Sequence, residues 1–205
     1  MGGMRLRSLA AAVPLAALVA LAVPSPTEAA GAKQIPLKCS KGPSGQHYDV
    51  SPQVPAQVAE GATFSARFDG VDSGTISQTG LNHVKDMTYV FGIPDGTRYV
   101  EGSARVVPGT GSANVREGAK VSASGGAVFL TLGAHVDNGQ SYTPPSLELK
   151  LVATGKAGDA ISFPFRQYQV TANAVIIGDL RATCDPVPKP YVVATTKVVA
   201  ADAAK

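Results

Sequence analysis

The stretch SLELKLVAT, residues 146–154, alternates apolar and polar side chains with a period of two. Its leucines occupy every second position from Leu147 to Leu151, and Glu148 and Lys150 lie between them. In an extended chain the two sets of side chains point to opposite sides. The stretch therefore predicts a β-strand of an antiparallel sheet, with one face buried and the other in water.

The same period of two recurs through most of the chain. It is found in four further stretches: ATFSARF (62–68), DMTYVFGIP (86–94), AVFLTLG (127–133) and FRQYQVTANAVII (165–177). Turn-forming residues separate them, in the segments PDG (94–96), PGTG (108–111), SGG (124–126), DNG (137–139) and KAGD (156–159). This arrangement predicts an all-β fold, an antiparallel Ig-like β-sandwich of about seven to nine strands. A small barrel is the alternative architecture.

The chain has two cysteines, Cys39 and Cys184, near the two ends of the region of alternating strands. Outside the cytosol, two cysteines without a third form a disulfide by default. Such a bond would close a loop of about 145 residues and contribute roughly 4–5 kcal/mol in the chain-entropy estimate. We therefore predict a Cys39–Cys184 disulfide, with two buried free thiols or a link to another chain as the alternatives.

The N-terminal residues have the three-part pattern of a secretory signal peptide. Basic residues precede an apolar run from Leu9 to Val23, and the small residues Ala30–Ala32 follow. The run of about 15 residues is shorter than the ~20 that a membrane-spanning helix needs, so we predict cleavage rather than a retained anchor. The predicted organisation is a signal-peptide helix over residues 1–32, a β-sandwich domain over 33–184 and a flexible Pro- and Ala-rich tail over 185–205. A short strand at Tyr191–Ala194 is an alternative within this tail.

Three segments carry a resemblance to known proteins. GIPDGTRYVEGSARVVPGTG (92–111) resembles a strand pair of secreted bacterial Ig-like domains. SYTPPSLELKLVATGKAGDAISFPF (141–165), followed by a strand that ends in ATCDP (182–186), is similar to secreted, cysteine-paired Ig-like β-sandwich proteins of actinobacteria. The resemblance covers about Cys39 to Cys184 and rests on turns and strand patterns. It implies export and a sandwich fold, and it transfers no catalytic or binding residues.

The charge balance and the motifs argue against several classes of function. The 18 basic and 15 acidic residues give a net charge of +3, which is no electrostatic footprint for nucleic acid. GVDSG (70–74) has its serine in the wrong position for a nucleophile elbow. The histidines, His47, His83 and His135, lack the spacing of metal ligands, and the cysteines are assigned to a disulfide. We therefore predict no metal, no cofactor and no enzymatic activity.

Three residues are the predicted ligand contacts. His47 and Tyr48 in SGQHYDV, and Tyr142 in NGQSYTPP, fall in loop-like segments. Loops at the end of a rigid sandwich commonly carry binding function, and tyrosine offers a large contact surface at low entropic cost. The sequence indicates a place for binding here without indicating a ligand.

These observations favour an exported, non-enzymatic β-sandwich that acts by contact, as a binding, adhesion or structural module. It would be secreted or associated with the cell wall, with an envelope protein, a polysaccharide or a lipid as its partner. After signal cleavage no transmembrane anchor is expected.

Two other functions stay open at this stage. The first is a carrier that holds an apolar ligand between the sheets, in a cavity lined by Leu147, Leu149, Leu151, Phe163 and Phe165. The second is a hydrolase with a site near His135 and Asp137, which would need a nucleophile within reach.

Overall fold

The structure is a computed structural model that describes residues 31–42 and 44–201. The predicted signal peptide, apart from its last two residues, lies outside the described residues. The described chain forms one short helix, α1 (Ala113–Arg116), and fourteen strands. The strands are β1 (Lys33–Cys39), β2 (Gln46–Gln53), β3 (Gln57–Ala59), β4 (Thr63–Gly70), β5 (Leu81–Gly92), β6 (Thr97–Tyr99), β7 (Arg105–Val106), β8 (Lys120–Ser124), β9 (Ala127–Thr131), β10 (Val136–Asp137), β11 (Leu147–Ala153), β12 (Ala160–Ala174), β13 (Gly178–Pro186) and β14 (Tyr191–Val199).

All the strands belong to one hydrogen-bonded sheet, whose main path runs β6-β11-β4-β2-β1-β13-β12-β5-β9-β8. The β3–β14 pair is parallel, and the pairs along the main path are antiparallel. Four strands separate β4 from β5 along this path, yet Phe68 of β4 stacks on Phe91 of β5 with ring centroids 4.7 Å apart. The sheet therefore curls into a half-barrel, so that its two halves face each other across a common core.

The alternating positions of the sequence supply this core. Leu147, Leu149 and Leu151 of β11 are buried, whereas Lys150 between them is exposed. Phe163 and Phe165 of β12 are buried opposite them in the same cluster. Burying a side chain of this size contributes about 1.5–3 kcal/mol, so the apolar stripe on each strand supplies the main stabilisation of the curl.

The predicted disulfide is confirmed. Cys39 of β1 and Cys184 of β13 are directly opposite each other in the antiparallel ladder, and their sulfur atoms are bonded. The bond joins residues 145 positions apart in the chain. It lies where β1 and β13 connect the two halves of the curled sheet, so it fixes that connection covalently.

Two sequence-based expectations need correction. The strands number fourteen rather than seven to nine, because several are only two or three residues long and lack a visible alternation. The predicted flexible tail, with at most a short strand at Tyr191–Ala194, is wrong for residues 191–199, which form the nine-residue strand β14, paired with β12 and β3. Its buried residues Val193, Thr196 and Val198 do not keep a strict period of two, because the β12–β14 register shifts at Phe163/Pro164. The irregular spacing hid the full length of the strand.

Candidate functional site

The predicted contact residues His47, Tyr48 and Tyr142 come together at one small cavity, of about 40 Å³. We name it the tyrosine pocket. The remaining side chains around it are Leu37, Asp49, Val71, Ser73, Tyr89, Pro144 and Tyr168. Strands β1, β2, β5 and β12 supply part of this lining, and the segments that follow β4 and β10 supply Ser73 and Tyr142.

The setting of these residues differs from the expected exposed loops. His47 and Tyr48 lie in β2, and Tyr48 and Tyr142 retain only 7% and 6% of their surface exposed. Tyr48 shares the inward face of β2 with Val50 and Pro52. The proline and the polar residues of QHYDVSPQ obscured this strand in the sequence. Whether His47, Tyr48 and Tyr142 contact a ligand stays a prediction.

The tyrosine hydroxyls form a chain inside the pocket. The hydroxyls of Tyr89 and Tyr142 are 2.9 Å apart and hydrogen-bonded, and the hydroxyl of Tyr168 lies 3.5 Å from that of Tyr142. The rings also pack on one another: Tyr48 and Tyr89 have centroids 4.5 Å apart, and Tyr89 and Tyr168 stack at 4.9 Å. The pocket wall is therefore aromatic surface with a short line of hydroxyl groups.

Burial raises the pKa of all four tyrosines above the ordinary value for a phenol. In each case the main cause is loss of solvent around the charged form, and neighbouring tyrosines add to the increase for Tyr48, Tyr89 and Tyr168. The hydroxyls are therefore neutral at physiological pH. They can each donate one hydrogen bond and accept others.

Asp49 contributes the acidic group of the pocket. Its Oδ2 lies 3.5 Å from Nε2 of His47, whose side chain is about half exposed. Its Oδ1 is buried and has no hydrogen-bond partner among the described residues. The Asp49 side chain as a whole is 22% exposed, and Oδ1 is the buried side-chain atom of the site that lacks a hydrogen-bond partner within the described part of the chain.

Sequence reasoning missed Asp49, Tyr89 and Tyr168. Tyr89 and Tyr168 occupy alternating positions in DMTYVFGIP and FRQYQVTANAVII, a pattern that indicates a buried face, and both rings pack in or against the core. Asp49 follows Tyr48 directly, and a strand assignment for QHYDVSPQ places it with His47 on the opposite face of β2 from Tyr48, so the alternation gives no signal for it. The four tyrosines come from four separate stretches of the chain, so only the three-dimensional fold brings them together.

The alternative hydrolase site finds little support in the geometry. His135 Nε2 and Asp137 Oδ1 are 3.4 Å apart, and more than half of each side chain is exposed. The ring of His83 lies 4.9 Å from that of His135. No hydrogen bond links this group to a serine or threonine hydroxyl in the described part of the chain. Residues 31–42 and 44–201 also hold no cluster of three or more His, Cys, Asp or Glu that could bind a metal.

The alternative carrier site lies in a region that is packed. Leu147, Leu149, Leu151, Phe163 and Phe165, which would line it, are at most 3% exposed and belong to one core cluster. None of these five residues lines the tyrosine pocket or the groove between the two ends of the curled sheet.

Two other surface features stand out. The first is a groove of about 550 Å³ between the two ends of the curled sheet, where Tyr99 and Ala104 face Val121 and the β8–β9 turn. The second, which we name the apolar tip, is the turn Val175–Ile177 between β12 and β13. Its three consecutive aliphatic side chains are 64%, 94% and 67% exposed.

Comparison with known proteins gives a likeness of fold. No family model and no curated protein matches the chain. A crystal structure of a protein from Corynebacterium diphtheriae, assigned as membrane anchored, is similar with a TM-score of 0.50 and 17% identity. The likeness covers 82% of this chain and 37% of that one, so this chain spans little more than a third of the length of that protein.

Two further structures are less similar to this chain, and the similarity covers most of each of them. A cohesin module of a Clostridium perfringens family 33 glycoside hydrolase is 14% identical, with a TM-score of 0.40 over 74% of this chain and 96% of its own. The RrgA Jo.In complex is 9% identical, with a TM-score of 0.39 over 71% of this chain and 89% of its own. Between Gly31 and Ala201, Pro43 excepted, no helix is long and apolar enough to cross a membrane.

Proposed function

We propose that this protein is an exported, non-enzymatic β-domain that acts by contact in or outside the cell envelope, and that the apolar tip makes the contact. The observation that carries the proposal is the exposure of Val175, Ile176 and Ile177 together. Single exposed aliphatic residues are ordinary, but adjacent ones form a patch of the kind that marks interaction sites. Val187 and Val192 are the other large apolar residues that stand exposed in the described chain, and they are not adjacent in sequence.

The tip is held in place by polar contacts at its base. The backbone N–H of Val175 donates to the carbonyl of Gly80. Asn173 is hydrogen-bonded to both Asn82 and Asp179, and Lys85 forms an ion pair with Asp179 at 2.7 Å. A fixed turn loses little conformational entropy when it binds, which favours contact by this part of the molecule.

Export is part of the proposal and has three supports. The disulfide is typical of oxidising compartments. The pattern of residues 1–32 is that of a cleaved signal peptide. The fold is similar to that of a Corynebacterium diphtheriae protein assigned as membrane anchored. We further propose that the half-barrel is a variant of the Ig-like sandwiches of secreted actinobacterial proteins, with its facing halves in the place of two sheets.

The test compares binding to envelope fractions of the producing organism by co-sedimentation. The variant Ile176→Ser/Ile177→Ser removes most of the apolar surface of the tip, and Val192→Ser is the matched control at another exposed valine. We expect the tip variant to bind at least about 10-fold more weakly than the wild type, because burying two isoleucines contributes several times RT. The control should bind as the wild type does. Equal binding by all three proteins would rule out the tip as the contact surface.

A further inference from the structure

We propose that His83 and His135 together bind one divalent transition-metal ion of the class of Zn²⁺ and Ni²⁺, and that Asp137 orients the ring of His135. This goes beyond the proposed function, because none of these residues belongs to the apolar tip. The inference follows from the strand register that brings the two histidines together, from the distance between their rings and from the carboxylate beside them.

The register of β5 and β10 brings the three side chains together. Asp137 of β10 lies directly opposite His83 of β5 in the antiparallel ladder. His135 comes just before β10, two positions from Asp137, and side chains with this spacing in an extended chain point to the same side. His83 and His135 are therefore diagonal neighbours, at a separation that aromatic side chains can bridge. Their spacing in the sequence gives no such signal, because they come from segments that meet only in the fold.

The distance between the two rings matches that of two imidazoles on one ion. The ring centroids of His83 and His135 are 4.9 Å apart, and the ring planes are at 50° to each other. A Zn–N bond of about 2.0–2.1 Å places the centre of a bound imidazole roughly 3.2 Å from the ion. Two such rings at an angle of about 90–109° around the ion have centres about 4.5–5.2 Å apart. The observed distance lies within this range, so one ion can bind both rings without a shift of the strands.

Asp137 supplies the group that commonly accompanies a metal-binding histidine. Its Oδ1 lies 3.4 Å from Nε2 of His135. A histidine that binds a metal through one ring nitrogen usually has a carboxylate, a carbonyl or a water at the other, which fixes the tautomer and the orientation of the ring. With Nε2 facing Asp137, Nδ1 of His135 is the nitrogen left for the ion. Asp137 is therefore a positioning residue and not a ligand.

The charges around the two rings are compatible with a bound cation. Asp137 places a negative charge beside His135. Lys85 is on the same strand as His83, two positions away, but its ammonium lies 2.7 Å from the carboxylate of Asp179. This ion pair offsets the charge of the lysine, so it opposes a metal ion less than a free ammonium would.

The donor atoms select the class of ion. Imidazole nitrogens suit Zn²⁺ and Ni²⁺, whereas Mg²⁺ and Ca²⁺ take oxygen ligands. Within residues 31–42 and 44–201, no group of three or more His, Cys, Asp or Glu side chains could share an ion. The two imidazoles are therefore the share of the ligands that this part of the chain supplies, and water fills the other positions. An ion bound in this way keeps positions open for donor groups of another molecule.

His47 is a matched position within the same protein. Its Nε2 lies 3.5 Å from Oδ2 of Asp49, so it shares the His-x-Asp spacing and the carboxylate contact of His135. The chain has three histidines, and in the part that the structure describes only the rings of His83 and His135 contact each other. His47 therefore has the carboxylate without the second imidazole, and it separates the effect of a histidine pair from that of a single histidine.

The experiment titrates the tag-free, disulfide-bonded chain with ZnCl₂ by isothermal titration calorimetry, in a buffer that does not bind metals. We expect one saturable site with ZnCl₂ and with NiCl₂, and no saturation with MgCl₂ or CaCl₂. In parallel, NMR follows the imidazole resonances of the three histidines during the ZnCl₂ titration. Those of His83 and His135 should shift together with the calorimetric binding curve, and those of His47 should not follow it.

His83→Gln and His135→Gln are the deciding variants, because glutamine keeps a polar side chain and removes the ring nitrogens. Each should bind Zn²⁺ at least about 10-fold more weakly than the wild type, and His47→Gln, the matched control, should bind as the wild type does. Asp137→Asn should weaken binding about 10-fold and change the tautomer of His135 seen in its ring-nitrogen NMR shifts. Thermal unfolding verifies that the variants are folded. The two ligands come from different segments, so one variant suffices if the other is unstable.

The outcomes separate as follows. Loss of Zn²⁺ binding in the variants of His83 and His135, together with wild-type binding by His47→Gln, supports the shared site. Wild-type affinity in a folded variant of either ligand, an equal loss in His47→Gln, or no saturable binding of ZnCl₂ would overturn the proposal. The variants leave Val175–Ile177 unchanged, so none of these results bears on the apolar tip and the proposed function is tested independently.

Discussion

The β12–β13 hairpin has one end in the core and the other in solvent. Near the start of β12, Phe165 is fully buried, with the ring of Tyr48 at 5.2 Å and that of Phe91 at 5.3 Å. Twelve residues on, in the same alternating stretch of sequence, Ile177 is two-thirds exposed. Both are large apolar residues. The comparison teaches that an apolar residue stabilises this fold only where a second layer of the sheet lies over it, and that elsewhere it is free for contact.

The largest expected effect is at the buried end of the hairpin. Phe165→Ala should lower the free energy of unfolding by about 3–5 kcal/mol, because it removes a buried aromatic side chain and leaves a cavity. Ile176→Ala, at the exposed end, should change it by less than about 0.5 kcal/mol. Urea unfolding followed by circular dichroism measures both. Similar losses of unfolding free energy for the two variants would show that Ile176 is packed in solution. The two ends of the hairpin would then not differ in burial.

A second effect is expected at the end of the β12–β13 ladder that is farthest from the turn, where Cys184 lies opposite Tyr168. The double variant Cys39→Ser/Cys184→Ser should lose about 2–4 kcal/mol, because the unfolded chain regains the freedom of a loop of 145 residues. Urea unfolding of the wild type with and without reductant should reproduce the loss. If reductant leaves the stability of the wild type unchanged while the sulfurs are shown to be reduced, the bond does not stabilise the connection between the two halves.

The smallest effect is expected at the base of the tip. Hydrogen bonds from Asn173 and Lys85 hold the pKa of Asp179 below its ordinary value. Because the pKa of Asp179 is lowered in the folded state, its carboxylate stabilises the protein at pH values above its ordinary pKa. This contribution is lost below about pH 4, as the pH falls through the folded-state pKa.

Asp179→Asn should therefore melt slightly below the wild type at pH 7, by at most about 2 °C, because the group is exposed and screened. The difference should shrink as the pH falls below about 4. Asp95→Asn, at an exposed turn, is the matched control. A difference between Asp179→Asn and the wild type that is as large at pH 2 as at pH 7 would mean that the charge of Asp179 is not responsible.

The parts of the fold that were predictable depend on local signals. The strand around Leu147–Leu151 is predicted from the alternation of neighbouring residues, and the disulfide is predicted because the chain has only two cysteines. The structure confirms both predictions. β14 was predictable at most as a short strand at Tyr191–Ala194 within a tail, because a register shift breaks its alternation. Its burial depends on β12 and β3, which lie far from it in the sequence.

The candidate site was predictable only in part. His47, Tyr48 and Tyr142 were singled out as residues, and the structure brings them to one cavity. Their burial was not foreseen, because it depends on how far the sheet curls. The contribution of Asp49, and the chain of hydroxyls through Tyr89 and Tyr168, arise from strands that meet only in the folded molecule. The exposure of the apolar tip was hidden for the same reason, since FRQYQVTANAVII has the pattern of one continuous strand.

The position of the disulfide has a mechanical consequence. A domain at a cell surface can experience tension along its chain, and force applied at the two ends of the described chain passes directly from Cys39 to Cys184 through the bond. The residues between them are then shielded from the load. Only the segments outside the bond can be pulled straight, about 25 residues or on the order of 90 Å of extended chain. The apolar tip and, apart from Leu37, the lining residues of the tyrosine pocket lie between the two cysteines, so the load does not pass through them.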